Sequence, residues 1–171
     1  MKRDLSILFF GDGEWAHRAL RKIVSNGHKV KKVIVRNDYR DPLLIEIAKE
    51  LRIEYGWHEN INSTDFLDSI ACYNANLAVS MSFNQIIKKN TMDQFEYGFI
   101  NCHAGKLPFY RGRNILNWAL INDEKEIGVT CHYINEGIDK GDIILQKSFP
   151  ITDLDDYSKL LEKAIDLCPK V

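Results

Sequence analysis

Short, uniformly apolar runs alternate along this chain with segments whose apolar positions recur every three to four residues. Residues 5–11 (LSILFFG) form the first run and stop at a glycine. In residues 14–28, Trp15, Ala19 and Ile23 make an apolar stripe, and Asn26-Gly27 closes the helix this predicts. A second strand is expected over 29–35 (KVKKVIV). A helix then follows over 41–53, with Asp41 as its cap and Pro42 at its first position. Strand patterns recur at 53–57, 75–82 and 97–103, and a helix capped by Ser63 or Thr64 is expected over 63–74. Residues 85–95 (QIIKKNTMDQF) carry no clear period. A helix over 114–122, strands over 126–134 and 142–151, and an amphipathic helix with Leu154, Tyr157, Leu160, Leu161, Ala164 and Ile165 complete the pattern.

Strands that alternate with helices, and are apolar on both faces, predict an α/β fold: an open, mostly parallel, Rossmann-like doubly wound sheet. The last two strands are joined only by residues 135–141, too short for a parallel crossover, so an antiparallel pair or a bent extension is expected there. With no repeat or linker, residues 1–171 read as one domain. The chain stops soon after its last helix, which fits a compact domain or the front part of a longer protein.

Composition narrows the function classes. The chain has 171 residues, enough for a sizeable core. Its 23 basic and 24 acidic residues give a formal charge of −1, without the basic surplus of a general nucleic-acid binder. The four cysteines, Cys72, Cys102, Cys131 and Cys168, form no CxxC and read as reduced thiols. The first apolar run is too short for a signal peptide or a membrane span, so the expected setting is the cytoplasm, without a membrane partner.

In open α/β sheets ligands bind beyond the carboxyl ends of the strands. The first such end, GDGEWA (11–16), lacks the third glycine of a dinucleotide fingerprint. It reads equally as a plain turn and as a turn whose amides approach a ligand. At 101–103, Asn101 and His103 lie two residues apart, so both point to one face of a strand while Cys102 points to the other. A locally satisfied histidine and a neutral donor paired with a proton acceptor are both open readings. Between the last strands, Gly137 and Gly141 frame Asp139, with Glu136 and Asp142 beside it; these are solvated acids, or one of them orients an imidazole. No G-x-S-x-G elbow is present, and His103, His132 and a carboxylate lack metal-ligand spacing.

Taken together, residues 100–122 (INCHAGKLPFYRGRNILNWALIN) and 126–144 (EIGVTCHYINEGIDKGDII) resemble the 10-formyltetrahydrofolate-dependent formyltransferase family. Its pattern runs N-x-H, L-P-x-Y-R-G, G-V-T and D-x-G. Here these are Asn101 to His103, Leu107 to Gly112, Gly128 to Thr130, and Asp139 to Gly141. The resemblance implies an N-formyltransferase with 10-formyltetrahydrofolate as co-substrate and no metal. It places Asn101, His103 and Asp139 as the catalytic group: Asn101 donating to a developing oxyanion, His103 shuttling a proton, Asp139 holding the histidine.

The resemblance also implies folate contacts at Phe83, Ile86, Ile87, Lys88, Gly137 and Ile138. Lys88 stands where the family usually has proline. Acceptor contacts fall at Gly11, Gly13, Trp15, Tyr110 and Arg113; packing is the competing role for Tyr110, and bracing of the loop is the expected one for Arg111. The short stretch from VIVRNDYRD to PLLIEIAKEL and the balanced charge favour a nucleotide-diphosphate-linked amino sugar as acceptor, in a lipopolysaccharide-type setting. A methionyl-tRNA formyltransferase fragment is the alternative, and a non-catalytic folate or nucleotide-sugar binding module is the alternative of another class. A homodimer through C-terminal elements is the further partner implied.

Overall fold

The computed structural model describes residues 4–171, so the first three residues of the expected domain lie outside the described residues. Chain order is β1 (Ser6–Gly11), α1 (Gly13–Ser25), β2 (Lys29–Val35), α2 (Pro42–Glu50), β3 (Glu54–Gly56), α3 (Thr64–Ala71), β4 (Leu77–Met81), α4 (Lys89–Met92) and β5 (Phe99–His103). Then come α5 (Ile115–Ile121), β6 (Glu126–Tyr133), β7 (Ile143–Pro150), α6 (Tyr157–Leu167) and a 3-10 turn, Cys168–Lys170. The expected α/β sheet is present, with seven strands in the order β3-β2-β1-β4-β5-β6-β7. The aperiodic 85–95 stretch holds only the single-turn α4. Among the described residues no helix is long and apolar enough to cross a membrane.

The chain divides into two compact units, Met1–Ile100 and Asn101–Val171. In the first, β1 pairs in parallel with β2 and β4, and β2 with β3. Leu8, Phe9 and Phe10 are fully buried, as continuous apolar strands covered on both faces require. The Phe10 ring lies 5.0 Å from Phe99, 5.5 Å from Phe83 and 6.1 Å from Phe66, tilted or edge-on in each case.

One carboxylate holds two helix starts in this unit. Asp41 Oδ1 accepts from the amides of Leu43 (3.0 Å) and Leu44 (3.1 Å), which caps α2 as the sequence predicts. Its Oδ2 accepts from the Gly13 amide at the start of α1 (2.8 Å) and pairs with His17 Nε2 (2.7 Å). Only the cap is legible in sequence; the second tie spans 28 residues.

In the second unit β6 and β7 are antiparallel, Glu126 opposite Pro150 and Thr130 opposite Gln146. Gly128 is required by this pairing, because a Cβ there would sit 2.6 Å from the Lys147 carbonyl oxygen. Helices α5 and α6 bury Ile115, Leu116 and Ala119, and Leu160, Ala164 and Ile165. Asp156 caps α6 through the Lys159 amide at 2.9 Å. Strand β7 departs from the doubly covered pattern: Ile143, Ile144 and Leu145 are all exposed.

Burial alone would push the Asp41 carboxyl up, but the bonds from Leu44, Gly13 and His17 outweigh it and hold the group below the usual carboxylate range. Its stabilisation is therefore full above about pH 4, the range of an unfolded carboxyl, and is lost as pH falls through the lower native value. Replacing Asp41 by Ala should cost about 1–3 kcal/mol in urea unfolding at pH 7. The gap between wild type and variant should close in the same measurement as the pH is lowered into that acid window.

Candidate functional site

The strongest concentration of chemistry lies in the second unit, where β5 ends and the β6–β7 connection turns. The two-residue period of β5 puts Asn101 and His103 on one face. Cys102 faces the other way, its Sγ 3.3 Å from that of Cys168. The bond to Cys168 and burial push the Cys102 thiol well above its ordinary range, so it is no nucleophile near neutral pH. All four cysteines are free; only Cys72 is exposed.

His103 is 8% exposed. Its Nε2 lies 2.8 Å from the Tyr110 carbonyl, which can only accept, so Nε2 carries a proton and Nδ1 is the nitrogen free to exchange one. Nδ1 is 3.6 Å from Asp139 Oδ2, an ion-pair distance when the ring is charged but beyond a hydrogen bond. The other carboxylate oxygen, Oδ1, is 3.6 Å from Nε2 of His132. Asp139 therefore sits between two imidazoles whose ring centres are 6.3 Å apart.

His132 adds a member that the sequence suggested only as a metal ligand. Its Nδ1 donates to the Tyr133 carbonyl (2.8 Å), leaving Nε2 as the acceptor in the neutral ring. The Asn101 amide nitrogen lies 3.4 Å from that Nε2. Burial lowers the His132 pKa against the opposing effects of the Tyr133 bond and the Asp139 charge, and the charge of His103 lowers it further. A neutral His132 thus fixes the Asn101 amide through one N–H and leaves the second to donate elsewhere. Among the described residues no group of three or more His, Cys, Asp or Glu is placed to hold a metal ion.

The constrained loop after His103 has a local physical cause. Gly105 is buried, and a Cβ there would lie 2.4 Å from the Tyr110 carbonyl and 2.6 Å from His103 Nε2. Thr130, fully buried, donates to the Gly105 carbonyl (2.6 Å) and accepts from Gln146 Nε2 (2.8 Å) and the Leu107 amide (3.3 Å). Gln146 also donates to the Leu107 carbonyl at 2.9 Å, beside the cis Leu107–Pro108 bond. The G-V-T pattern flagged Thr130; nothing in the sequence singles out Gln146. Gly141 is equally constrained, since a Cβ there would fall 1.8 Å from the Tyr133 carbonyl oxygen.

The remaining predicted residues are placed as follows. In the second unit, the Tyr110 hydroxyl bonds Glu124 (2.5 Å) and Asn122 (3.1 Å), which favours the packing role over acceptor contact. Arg113 is exposed on the loop before α5, and Ile138 is 69% exposed next to Asp139. The Gly137 amide donates to Asn135 Oδ1 at 2.9 Å.

In the first unit, Ile86 is 75% exposed, whereas Ile87 is buried and Phe83 packs against Phe10. Lys88, in place of the family's proline, uses the amide a proline would lack: it donates to Asn62 Oδ1 at 2.8 Å, while Asn62 Nδ2 donates to the Ile86 carbonyl at 2.9 Å. Gly11 is buried, with room for no Cβ beside Ala16, and Trp15 is half-buried. The Gly13 amide is committed to Asp41, and the Asp12 amide to the Met81 carbonyl at 3.0 Å. The turn spends both amides inside the fold and does not present them to an anion.

A family model described as formyl transferase matches residues 5–171. The methionyl-tRNA formyltransferase of Thermodesulfovibrio yellowstonii is 33% identical over 165 residues, covering 92% of this chain and 54% of that protein. The enzyme of the same name from Caldanaerobacter subterraneus subsp. tengcongensis is 32% identical over 176 residues, covering 98% and 57%. The chain spans about half the length of these curated relatives.

Among solved structures, glycinamide ribonucleotide transformylase 1 from Symbiobacterium toebii shares the fold at a TM-score of 0.87 and 19% identity, covering 100% of this chain and 85% of that one. A formyltetrahydrofolate deformylase from Pseudomonas syringae pv. tomato does so at 0.84 and 20%, covering 99% and 59%. With the family model matched almost end to end, the chain belongs to the formyl transferase family.

Proposed function

We propose that this chain carries the chemistry of an N-formyltransferase, moving a formyl group from 10-formyltetrahydrofolate to a primary amine. The observation that carries this reading is the grouping of Asn101, His103 and Asp139, with His132 behind the asparagine. Beside Asp139, the exposed aliphatic side chain of Ile138, a position that the resemblance implies for folate, offers apolar surface to an aromatic ligand.

The folate supplies an activated formyl carbon. As the acceptor's amine adds to that carbon, negative charge grows on the formyl oxygen, and the second N–H of Asn101 is the donor left to meet it. His103, anchored through Nε2, takes and gives a proton at Nδ1, so the amine loses a proton and the departing nitrogen gains one. Asp139 Oδ2 lies 3.6 Å from that nitrogen, on the side where the proton is exchanged. No covalent enzyme intermediate is required.

The named relatives support the methionyl group of a charged tRNA as the acceptor. A nucleotide-linked amino sugar is the second reading. The balanced charge of this chain favours it, because neutralising several phosphates of a nucleic acid draws on a basic surplus absent here.

The deciding experiment is single turnover with 10-formyltetrahydrofolate, read as a mass gain of one formyl group. Methionyl initiator tRNA, glycinamide ribonucleotide and a panel of nucleotide-linked amino sugars serve as acceptors. Formylation of the tRNA alone fixes the first acceptor, formylation of one sugar fixes the second, and donor binding without transfer to any amine points to a binding module. On the acceptor that reacts, His103→Ala should slow transfer by about 10²–10⁴-fold. Asn101→Ala should slow it by about 10²–10³-fold while donor affinity, measured by fluorescence titration, stays within about twofold.

A further inference from the structure

Three consecutive residues each hold one part of the acid–base pair. The Tyr110 carbonyl accepts from His103 Nε2 at 2.8 Å. The Arg111 Nε donates to the main-chain carbonyl of Asp139 at 3.0 Å. The Gly112 amide donates to Asp139 Oδ2 at 2.8 Å, the same oxygen that faces His103. Asp139 has φ +49, in the left-handed region, which aspartate enters more readily than most residues but still less readily than an ordinary negative φ. Glycine would adopt that backbone freely, yet the position needs a carboxylate. Two bonds from outside favour that conformation, gripping Asp139 from its carbonyl and from its carboxylate.

We propose that Arg111 is a positioning residue for formyl transfer. Its guanidinium fixes the Asp139 backbone so that the carboxylate stays between His103 and His132. Without the bond at the carbonyl, Asp139 is free to relax to an ordinary negative φ, which swings Oδ2 away from both the Gly112 amide and the His103 Nδ1. An exposed arginine beside such a site otherwise reads as an anion contact for the acceptor. Here Nε is committed to the Asp139 carbonyl, which aims the guanidinium at the chain's own loop. The catalytic consequence rests on the formyl-transfer reading; the structural half does not.

Two measurements on the whole chain test the proposal. In steady-state kinetics on the reacting acceptor, Arg111→Ala should lower kcat by about 10- to 100-fold and leave the KM of donor and acceptor within about twofold. Added to Asp139→Asn, it should cost less than about twofold more, because it acts only through Asp139. A raised acceptor KM at unchanged kcat, or losses that multiply in the double variant, would overturn the proposal in favour of a substrate contact.

The second measurement needs no activity. By amide hydrogen exchange, the Gly112 N–H should exchange about tenfold faster in Arg111→Ala, with the amides of α6 unchanged. Unaltered protection at Gly112 would sink the clamp. A wild-type chain that formylates nothing would remove the formyl-transfer reading, and the Gly112 exchange rates would still decide the clamp.

Discussion

The site depends first on the pleat of one strand. Because side chains alternate along β5, Asn101 and His103 share a face while Cys102 is turned into a separate thiol cluster. Everything added afterwards serves to fix the orientation of these two groups. His132 does so for the asparagine, by offering a buried, neutral acceptor to its amide. The Tyr110 carbonyl does so for the histidine, by claiming Nε2 and leaving Nδ1 on the side of Asp139. A slip of one residue in the strand would exchange the amide and the imidazole for Ile100 and Cys102, and no loop rearrangement would restore the chemistry.

Close backbone approach is the second constraint, and it explains why the recognisable patterns are patterns at all. Gly105 lets the chain fold back so that residue 110 reaches His103, and Gly141 lets the turn after Asp139 pass against the Tyr133 carbonyl. Thr130 and Gln146 then lock residues 105 and 107 to the hairpin. The motif letters divide into those proposed to act, such as Asn101, His103 and Asp139, and those that make room or hold still. Preorganisation of this kind is what lets a few donors act strongly on a developing charge.

The fold was largely legible because its signals are local. Apolar runs, the Asp41-Pro42 start of α2, the cap expected at Ser63 or Thr64 and found at Ser63, and the Asn26-Gly27 stop each depend on neighbouring residues, and each is present. The site was legible only in part. Strand alternation pairs Asn101 with His103, but the tie between Asp139 and the 111–112 loop spans 27 and 28 residues and leaves no periodic trace. The sequence suggests His132 only as a metal ligand, because the amide it meets is 31 positions away. Gln146 looked like any polar residue of a strand. The glycine turn at 11–13 reads equally as a plain turn and as one whose amides approach a ligand, and a carboxylate 28 residues on takes the Gly13 amide.

That last feature also bears on charge. The start of a helix normally presents a partial positive charge to solvent, and open α/β folds commonly offer it to a phosphate. In α1 the positive end already faces the Asp41 carboxylate, and the Asp12 carboxylate, paired with Arg36 at 3.0 Å, adjoins it. The first amide of α1 is thus spent on joining two helices. In this sheet the start of α1 serves as a structural joint with α2.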